Sequence, residues 1–333
     1  MFMKVAVLRK PLSIEIQETN IPQLDDNEVL VKSKVGGICG TDIAIYEGYR
    51  DVRTPIIIGH EVCGEVVEIG KGVTNLNVGD HVVLEPNYVC GKCRFCRAGL
   101  YNLCTNKKAV GVNYDGVFSE YFKAPEKYLW KVPPNIDFYE AVLTEPLACV
   151  LHSLRNVNLL PEDNALVIGG GAIGAITALI LQHMGINVAI LDRSLLRIEM
   201  LRKRGFNAFH LSENSNAINE FFENEGVDLI LDAVGSETNL QGTINFLRAG
   251  GNILIIGLSA TESKLPLHQI VRKEVNIKGT LIYRGDFFNA IKIISKKKIP
   301  INKVVTHVFN FNEIGAAFET SKRKDRLKVL IAF

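Results

Sequence analysis

The chain has 333 residues, a formal net charge of +2 at pH 7, 47% hydrophobic residues and 22% charged residues. This composition is typical of a globular protein of about two domains, and the small net charge does not favour a nucleic-acid-binding surface. The longest apolar runs are as long as strands and fall far short of the roughly 18 residues of a membrane span. We therefore expect no membrane partner and no secretion signal.

Strand patterns dominate the first 132 residues of the chain. Short stretches of alternating or mostly apolar residues, separated by proline, glycine and acidic turns, occupy residues 4–8, 14–18, 28–34, 62–84, 117–124 and 128–132. Because these stretches follow one another without long helical patterns between them, they predict an all-β, partly open barrel.

A cysteine-rich lobe at residues 86–106 interrupts these strands. It contains four of the seven cysteines of the chain, Cys90, Cys93, Cys96 and Cys104. The spacing C-x2-C-x2-C-x7-C allows one short segment to surround a single tetrahedral Zn²⁺, and four thiolates close the coordination shell as in a structural site. An odd number of cysteines, four of them at metal-binding spacing, favours reduced thiols in the cytoplasm over a disulfide framework.

From residue 138 onward, helical and strand patterns alternate. Helical patterns cover residues 138–156, 172–184, 195–204 and 239–247, and strand patterns cover residues 165–168, 188–191, 228–231 and 252–256. Repeated βαβ units predict a doubly wound parallel sheet with helices on both faces, which is an α/β Rossmann fold. The chain ends in a further apolar strand pattern at residues 328–333.

A glycine-rich turn between the first strand and helix of this alternation predicts a dinucleotide site. Gly169, Gly171 and Gly174 fit G-x-G-x-x-G, in which a pyrophosphate lies at a helix N-terminus. Asp192 ends the next strand, where an acid binds the adenosine ribose. Its carboxylate would repel a 2′-phosphate, whereas Arg193 can accept one, and we expect the carboxylate to prevail in favour of NAD. The predicted cofactor-binding residues are Gly169, Gly171, Ala172, Ile173, Gly174, Asp192, Arg193 and Arg197.

A second candidate set of metal ligands precedes the cysteine lobe. Cys39 offers a thiolate, and the adjacent His60 and Glu61 offer an imidazole and a carboxylate. A mixed set of soft and hard ligands is typical of an open, catalytic zinc site.

Taken together, these motifs resemble those of the zinc-dependent medium-chain dehydrogenases, the alcohol and polyol dehydrogenase family, in its sorbitol and threonine dehydrogenase-like subgroup. The motifs that carry the resemblance are Gly37-Ile-Cys39-Gly-Thr41-Asp42, Gly59-His60-Glu61-Val-Cys-Gly64, the cysteine lobe, Thr144-Glu145-Pro146, the glycine fingerprint and Asp232-Ala-Val-Gly235. The resemblance implies a GroES-like β-barrel catalytic domain over residues 1–148, an NAD-binding domain over residues 149–278, and a segment over residues 279–333 that completes the catalytic domain.

The resemblance also implies two zinc ions per chain, one catalytic and one structural, and a homo-oligomer, with a tetramer favoured. Cys39 and His60 would hold the catalytic zinc, and either Glu61 or Glu145 would be the third protein ligand. Thr41 would take the proton of the substrate hydroxyl, and Arg284 would contact the substrate.

Two neighbours of these residues complete the expected site. Asp42 would orient His60 by accepting a hydrogen bond from its ring. Ala44 replaces a histidine that often ends the proton relay in this family. The proton would therefore leave either through Thr41 and the cofactor ribose or through Glu145.

The activity that the resemblance implies is reversible transfer of a hydride to NAD⁺ from a secondary hydroxyl of a small polyol or secondary alcohol. The alternatives are an L-threonine 3-dehydrogenase and an aldose 1-dehydrogenase of the glucose type. Two other classes are a relative that has lost the zinc and its activity, and a zinc-free quinone or enoyl reductase. The presence of Cys39, His60 and the cysteine lobe disfavours both classes.

Overall fold

The strands form four sheets within residues 1–211, 215–235, 242–258 and 264–333, which the computed structural model describes. Three sheets come from the N-terminal region and the C-terminal end of the chain. The fourth is a parallel sheet formed by the residues between them.

The N-terminal region is rich in antiparallel strands, as the alternation of its residues predicts. Its strands are β1 (Phe2–Lys10), β2 (Ser13–Asn20), β3 (Glu28–Ile38), β4 (Ile56–Ile57), β5 (Glu61–Ile69), β6 (His81–Leu84), β7 (Asn87–Tyr88), β8 (Lys108–Ala109), β9 (Tyr121–Pro125) and β10 (Leu129–Lys131). On β3, Val29 and Val31 lie two residues apart and bury one face of the strand against Val62 and Val66 of β5. This period of two places the apolar residues inside the barrel.

The C-terminal end completes the barrel sheet. Its strands follow the parallel sheet in the chain and span Val305–Asn310 and Lys328–Ala332. The last strand pairs antiparallel with β3, with Val329 opposite Ile38 and Leu330 opposite Gly37. The pairing places Lys328 beside the residues that lead from β3 into the first helix.

The parallel sheet has the strand order of a dinucleotide-binding fold. Its strands are β11 (Asn164–Ile168), β12 (Asn187–Asp192), β13 (Ala208–His210), β14 (Val227–Asp232), β15 (Leu247–Ile255) and β16 (Asn276–Gly279), and the C-terminal strands are therefore β17 and β18. The order β13-β12-β11-β14-β15-β16 reverses between β11 and β14. Ligands of such sheets bind at the carboxyl ends of the strands, beside this reversal.

Helices cover the parallel sheet and connect it to the barrel. They are α1 (Gly40–Tyr46), α2 (Arg94–Arg97), α3 (Phe138–Ala141), α4 (Thr144–Leu154), α5 (Ala172–His183), α6 (Leu195–Lys203), α7 (Ser215–Phe221), α8 (Leu267–Arg272), α9 (Phe287–Ser295) and α10 (Ile314–Lys322). Short 3₁₀ helices span Tyr101–Leu103, Glu126–Tyr128, Ile244–Phe246, Ile301–Val304 and Phe311–Glu313. None of the helices in the described ranges is long and apolar enough to cross a membrane.

The single helix predicted at residues 138–156 is two helices in the structure. The Asp137 side chain accepts a hydrogen bond from the Glu140 N–H at 2.9 Å and is the N-cap of α3. Pro146 is tolerated only within the first turn of a helix, so the helix ends and restarts two residues before it, at Thr144.

The parallel sheet and the antiparallel barrel are both confirmed. The helix predicted at residues 239–247 begins outside the described residues, and β15 already starts at Leu247. The domain boundaries stay a prediction. Helix α4 runs through the predicted boundary at residue 148, and its Leu147 and Val150 share one buried apolar cluster with Ala165 and Val167 of β11.

Candidate functional site

The cysteine lobe gathers four sulfur atoms into one compact group. The Sγ atoms of Cys90, Cys93, Cys96 and Cys104 all lie within 4.8 Å of one another. The Cys90 and Cys104 sulfurs are 3.6 Å apart. Tetrahedral zinc with Zn–S bonds of about 2.3 Å requires sulfurs about 3.8 Å apart, so the donor set fits a closed structural zinc.

The cysteine thiols of the lobe differ in their pKa. Hydrogen bonds from the backbone N–H groups of Cys96 and Thr105 lower the pKa of Cys93 to about 5. Burial and the neighbouring cysteine side chains raise the pKa of Cys96 to about 12. Four thiolates in such close contact need a central cation to coexist, which agrees with a metal site.

The catalytic candidates meet because β3 and β5 pair side by side. Gly37 lies opposite Glu61 in the register of these strands. Cys39 follows β3 and precedes α1, while His60 immediately precedes β5 and Glu61 is its first residue. One ligand atom from each of Cys39, His60 and Glu61 lies within 4.8 Å of the others. The structure therefore brings together a thiolate, an imidazole and a carboxylate, as the sequence predicts.

Asp42 holds His60 in a fixed orientation. Its Oδ1 lies 3.0 Å from His60 Nδ1, and its Oδ2 accepts the Cys39 N–H at 2.8 Å. Asp42 is fully buried. Burial alone would lower the pKa of His60, but the side chains of Asp42 and Cys39 raise it well above its ordinary value. With Nδ1 donating to Asp42, Nε2 is left for a metal, and the predicted role of Asp42 is confirmed.

Lys328 is a functional residue that sequence reasoning missed. Its Nζ donates to Glu61 Oε1 at 2.6 Å and to the Ile38 carbonyl oxygen at 3.1 Å. Lys328 and Glu61 are only 2% and 1% exposed. Burial would lower the pKa of Lys328, but the charges of Glu61 and Cys39 raise it, so the side chain remains a cation. A lysine within the apolar run of the last strand was the available signal.

The strand beside this ion pair must carry a glycine. A Cβ atom on Gly37 would collide with Glu61 Oε2 and press on the Cε atom of Lys328. Gly37 therefore makes room for the Glu61–Lys328 pair directly behind Cys39.

Glu145 lies beside the same cluster, on the first turn of α4. Its side chain is buried, and the Cys149 thiol one turn later lies 3.9 Å from its Oε1. Burial and the charge of Glu61 raise the pKa of Glu145 to about 7. The compact three-residue donor group contains Glu61 and not Glu145. Glu145 lines the same cleft outside this donor group.

A cleft of about 1050 Å³ joins the metal-ligand cluster to the glycine-rich turn. The predicted residues that line it are Cys39, Thr41, His60, Glu61, Glu145, Gly169, Gly171, Ala172, Ile173, Gly174, Asp192, Arg193 and Arg197. This volume is ample for a dinucleotide and a small substrate to share one site.

Arg284, a predicted substrate contact, does not line the cleft. The preceding Thr280, Leu281 and Ile282 line it, but Arg284 does not. The chain turns at Gly285, which has a φ of 71°, and the Arg284 N–H donates to Asp286 at 2.8 Å. Arg284 thus lies outside the lining of the cleft, and its predicted substrate contact stays a prediction.

The glycine-rich turn has the backbone that a phosphate site needs. Gly169 ends β11 with a φ of 91°, and Gly171 immediately precedes α5. A Cβ atom on Gly174 would collide with the Gly169 carbonyl oxygen, so the helix can approach the strand only with glycine there. The unpaired N–H groups at the start of α5 therefore face the cleft.

Asp192 is held in place by its own backbone surroundings. Its Oδ1 accepts the Ser194 N–H at 2.9 Å, and its Oδ2 accepts the Gly170 N–H at 2.8 Å. The Arg197 guanidinium lies 3.4 Å from Oδ2. Burial and the charges of Arg197, Arg193 and Arg326 lower the pKa of Lys324, so this end of the cleft combines one acid with several cations.

Comparisons with known proteins agree with this site. Residues 25–134 match the family model described as an alcohol dehydrogenase GroES-like domain, and residues 172–296 match the zinc-binding dehydrogenase model. A sorbitol dehydrogenase of Halalkalibacterium halodurans is 33% identical, with 95% of this chain and 94% of that protein covered. D-xylulose reductase A of Aspergillus oryzae is 32% identical, with 96% and 93% covered.

A solved structure gives the same result at the level of the fold. An alcohol dehydrogenase from E. coli CFT073, complexed with NADH, superimposes with a TM-score of 0.92 at 31% identity, with 100% of this chain and 99% of that chain covered. The chain therefore belongs to the zinc-dependent medium-chain alcohol and polyol dehydrogenase family. As a member it is an oxidoreductase with a nicotinamide cofactor.

Proposed function

We propose that the chain catalyses the reversible, NAD-dependent oxidation of a secondary hydroxyl on a small polyol or secondary alcohol. One observation carries this proposal: Cys39, His60 and Glu61 converge on the same cleft as the glycine-rich turn. The names of two relatives, a sorbitol dehydrogenase and a D-xylulose reductase, support a polyol and its ketose as the substrate pair.

The donor groups fit the zinc that the family implies. Cys39, His60 and Glu61 would hold it, and an open position would remain for a substrate oxygen. When bound, zinc supplies a Lewis acid that lowers the pKa of an alcohol hydroxyl, and NAD⁺ supplies the hydride acceptor. Asp42 keeps His60 Nε2 aimed at the zinc, and Lys328 balances the charge of buried Glu61.

The proton of the substrate hydroxyl has two candidate acceptors in the cleft. The Thr41 hydroxyl lines the cleft two residues after Cys39, where it could accept the proton of a substrate hydroxyl as it gives up its own. Glu145 has a pKa raised to about 7 by burial and by Glu61, so its carboxyl group can gain or lose a proton near neutral pH. Ala44 offers no such group, so we assign Thr41 as the direct acceptor and Glu145 as the second.

We propose NAD rather than NADP as the cofactor. Asp192 is 7% exposed and is held at the end of β12 by two backbone N–H groups, so a 2′-phosphate would lie against a fixed carboxylate. Arg193 and Lys324 favour NADP instead, because both can bind that 2′-phosphate. A kcat/KM for NAD⁺ at least about tenfold above that for NADP⁺ is expected. An equal or higher value for NADP⁺ would contradict the role of Asp192.

The remaining properties follow from the family and from the cysteines. We propose two zinc ions per chain, a homotetramer and a cytoplasmic location. All seven cysteines are free thiols in the structure, which agrees with a reducing compartment.

A substrate panel tests the activity directly. NADH formation is measured with sorbitol, xylitol, butane-2,3-diol, L-threonine and glucose at one pH and saturating NAD⁺. A polyol or the diol is expected to give the highest kcat/KM. Preference for L-threonine or glucose would replace the substrate class, and no NADH with any compound would contradict the proposed function.

A further inference from the structure

Two cationic residues, Arg50 and Lys107, line the cleft and lie outside the sequence motifs described above. Arg50 follows α1, and the N–H groups of Tyr49 and Arg50 both donate to the Ala44 carbonyl oxygen, at 2.8 and 3.1 Å. Lys107 follows the last cysteine of the lobe, and its N–H donates to the Cys104 carbonyl oxygen at 3.3 Å. Both side chains line the cleft.

Neither cation is neutralised by a carboxylate of the protein. No acidic group in the described ranges lies within ion-pair distance of Arg50 or Lys107. Lys107 Nζ donates to the Asn102 carbonyl oxygen at 3.1 Å, which uses one of its three N–H bonds. The charge of Lys107 is therefore available to a ligand although the side chain is half-buried.

The other lysine and arginine residues that line the cleft lie either beside Glu61 or around Asp192. Lys328 pairs with Glu61 behind the metal cluster. The cations around the ribose-binding Asp192 are Arg193, Arg197, Lys324 and Arg326. Arg50 and Lys107 are the two lysine or arginine residues that remain in the described lining of the cleft.

Both cations line the same cleft as the metal ligands. Arg50 and Lys107 share this lining with Cys39, His60 and Glu61. Arg50 follows α1, the helix that begins directly after Cys39. The lining also includes Cys149, whose thiol lies 3.9 Å from Glu145 Oε1.

We propose that the substrate carries an anionic terminal group, a phosphate monoester or a carboxylate, which Arg50 and Lys107 bind while its hydroxyl reaches the Cys39–His60–Glu61 cluster. The guanidinium fork of arginine matches both groups, and lysine adds a point charge. An anion at this position offsets the mutual repulsion of the two cations and the cost of burying Lys107. The inference rests on the proposed function and narrows its substrate class to acidic polyols.

The test compares neutral and anionic forms of one carbon skeleton. Initial rates with NAD⁺ are measured for sorbitol, sorbitol 6-phosphate and gluconate with wild-type enzyme. We expect one of the two anionic compounds to have a kcat/KM at least about tenfold above that of sorbitol, mainly through a lower KM. The compound that does so distinguishes a phosphate from a carboxylate. Its KM should rise with ionic strength, whereas that of sorbitol should not.

Matched variants connect this preference to the two residues. Lys107→Ala and Arg50→Ala should each lower the kcat/KM of the preferred anion at least about tenfold, and Lys107→Arg should retain most of it. Lys108→Ala and Arg53→Ala are the controls, because both residues are exposed and neither lines the cleft. Inorganic phosphate should inhibit sorbitol oxidation competitively in the wild type and more weakly in Lys107→Ala.

The possible failures are distinguishable from one another. A wild-type enzyme that prefers sorbitol to both anions would overturn this inference and leave the proposed function intact. If Lys107→Ala raised only the KM of NAD⁺, the cation would belong to the cofactor site and the inference would again be wrong. The proposed function itself would be contradicted only if NADH formed neither with these compounds nor with the neutral panel above.

Discussion

The two metal-ligand sets of this chain are assembled in opposite ways. The lobe takes all four donors from one short segment, and each of them is a thiol. The catalytic set takes its donors from two antiparallel strands, after the end of β3 and at the start of β5. Its charge is balanced by Lys328, which lies 267 positions away from Glu61 in the sequence. A local set can therefore be predicted from spacing, whereas a distributed set needs the tertiary fold to bring its partners together.

The catalytic set should control chemistry far more than stability. His60→Ala removes one zinc ligand and its link to Asp42. We expect kcat/KM to fall about 10³-fold or more, which corresponds to about 4 kcal/mol of lost transition-state stabilisation. The midpoint of thermal unfolding should change little. Steady-state rates and calorimetry check both parts, and a variant with more than a tenth of wild-type activity would contradict the assignment.

The distant partner of the catalytic set should matter mainly for stability. Lys328→Met leaves Glu61 charged and buried without its cation, which should lower the free energy of unfolding by about 3–5 kcal/mol. Lys322→Met is the matched control, because it breaks an exposed ion pair with Glu319 and should cost under about 1 kcal/mol. Urea unfolding measures both. Adding Glu61→Gln to Lys328→Met should recover part of the lost free energy of unfolding. Equal losses in Lys328→Met and Lys322→Met would contradict the stabilising role of the buried ion pair.

The local set should control stability more than chemistry. Cys93→Ser should abolish zinc binding in the lobe, where the metal closes a short loop, and cost about 3 kcal/mol by analogy with a covalent cross-link around 15 residues. The KM for NAD⁺ should not change. Zinc analysis, thermal unfolding and kinetics on one preparation measure these effects. If Cys93→Ser lost NAD⁺ binding but kept wild-type stability, the lobe would control chemistry rather than stability, which contradicts this account.

The smallest expected effect belongs to Glu145, the acid beside the catalytic set. Glu145→Ala should lower kcat at least about tenfold, because the carboxyl group can carry the substrate proton, and should leave the affinity for NAD⁺ nearly unchanged. Glu140→Ala provides a control on the preceding helix α3, outside the cleft lining. Wild-type turnover in Glu145→Ala would remove this residue from the mechanism.

The sequence predicted what local patterns encode. The lobe, the glycine-rich turn after β11 and the βαβ order each depend on residues close together in the chain, and the structure agrees with them. The break between α3 and α4 was missed because the helical period continues through it, although Pro146 carried the signal.

The rest depended on contacts that periodicity does not report. Arg284 was placed by its neighbours in sequence, but Thr280, Leu281 and Ile282 line the cleft while Arg284 does not. Lys328 reaches Glu61 only because β18 pairs with β3. Arg50 and Lys107 lie on irregular segments. In such segments the spacing of residues in the sequence does not predict which way a side chain points.

The count of zinc ions per chain tests the central claim most directly. Metal analysis of the purified wild type is expected to give two, and that of Cys39→Ser should give one, with NADH formation lost and the lobe intact. One or no zinc in the wild type, or two retained in Cys39→Ser, would contradict the proposal that Cys39, His60 and Glu61 hold the catalytic metal.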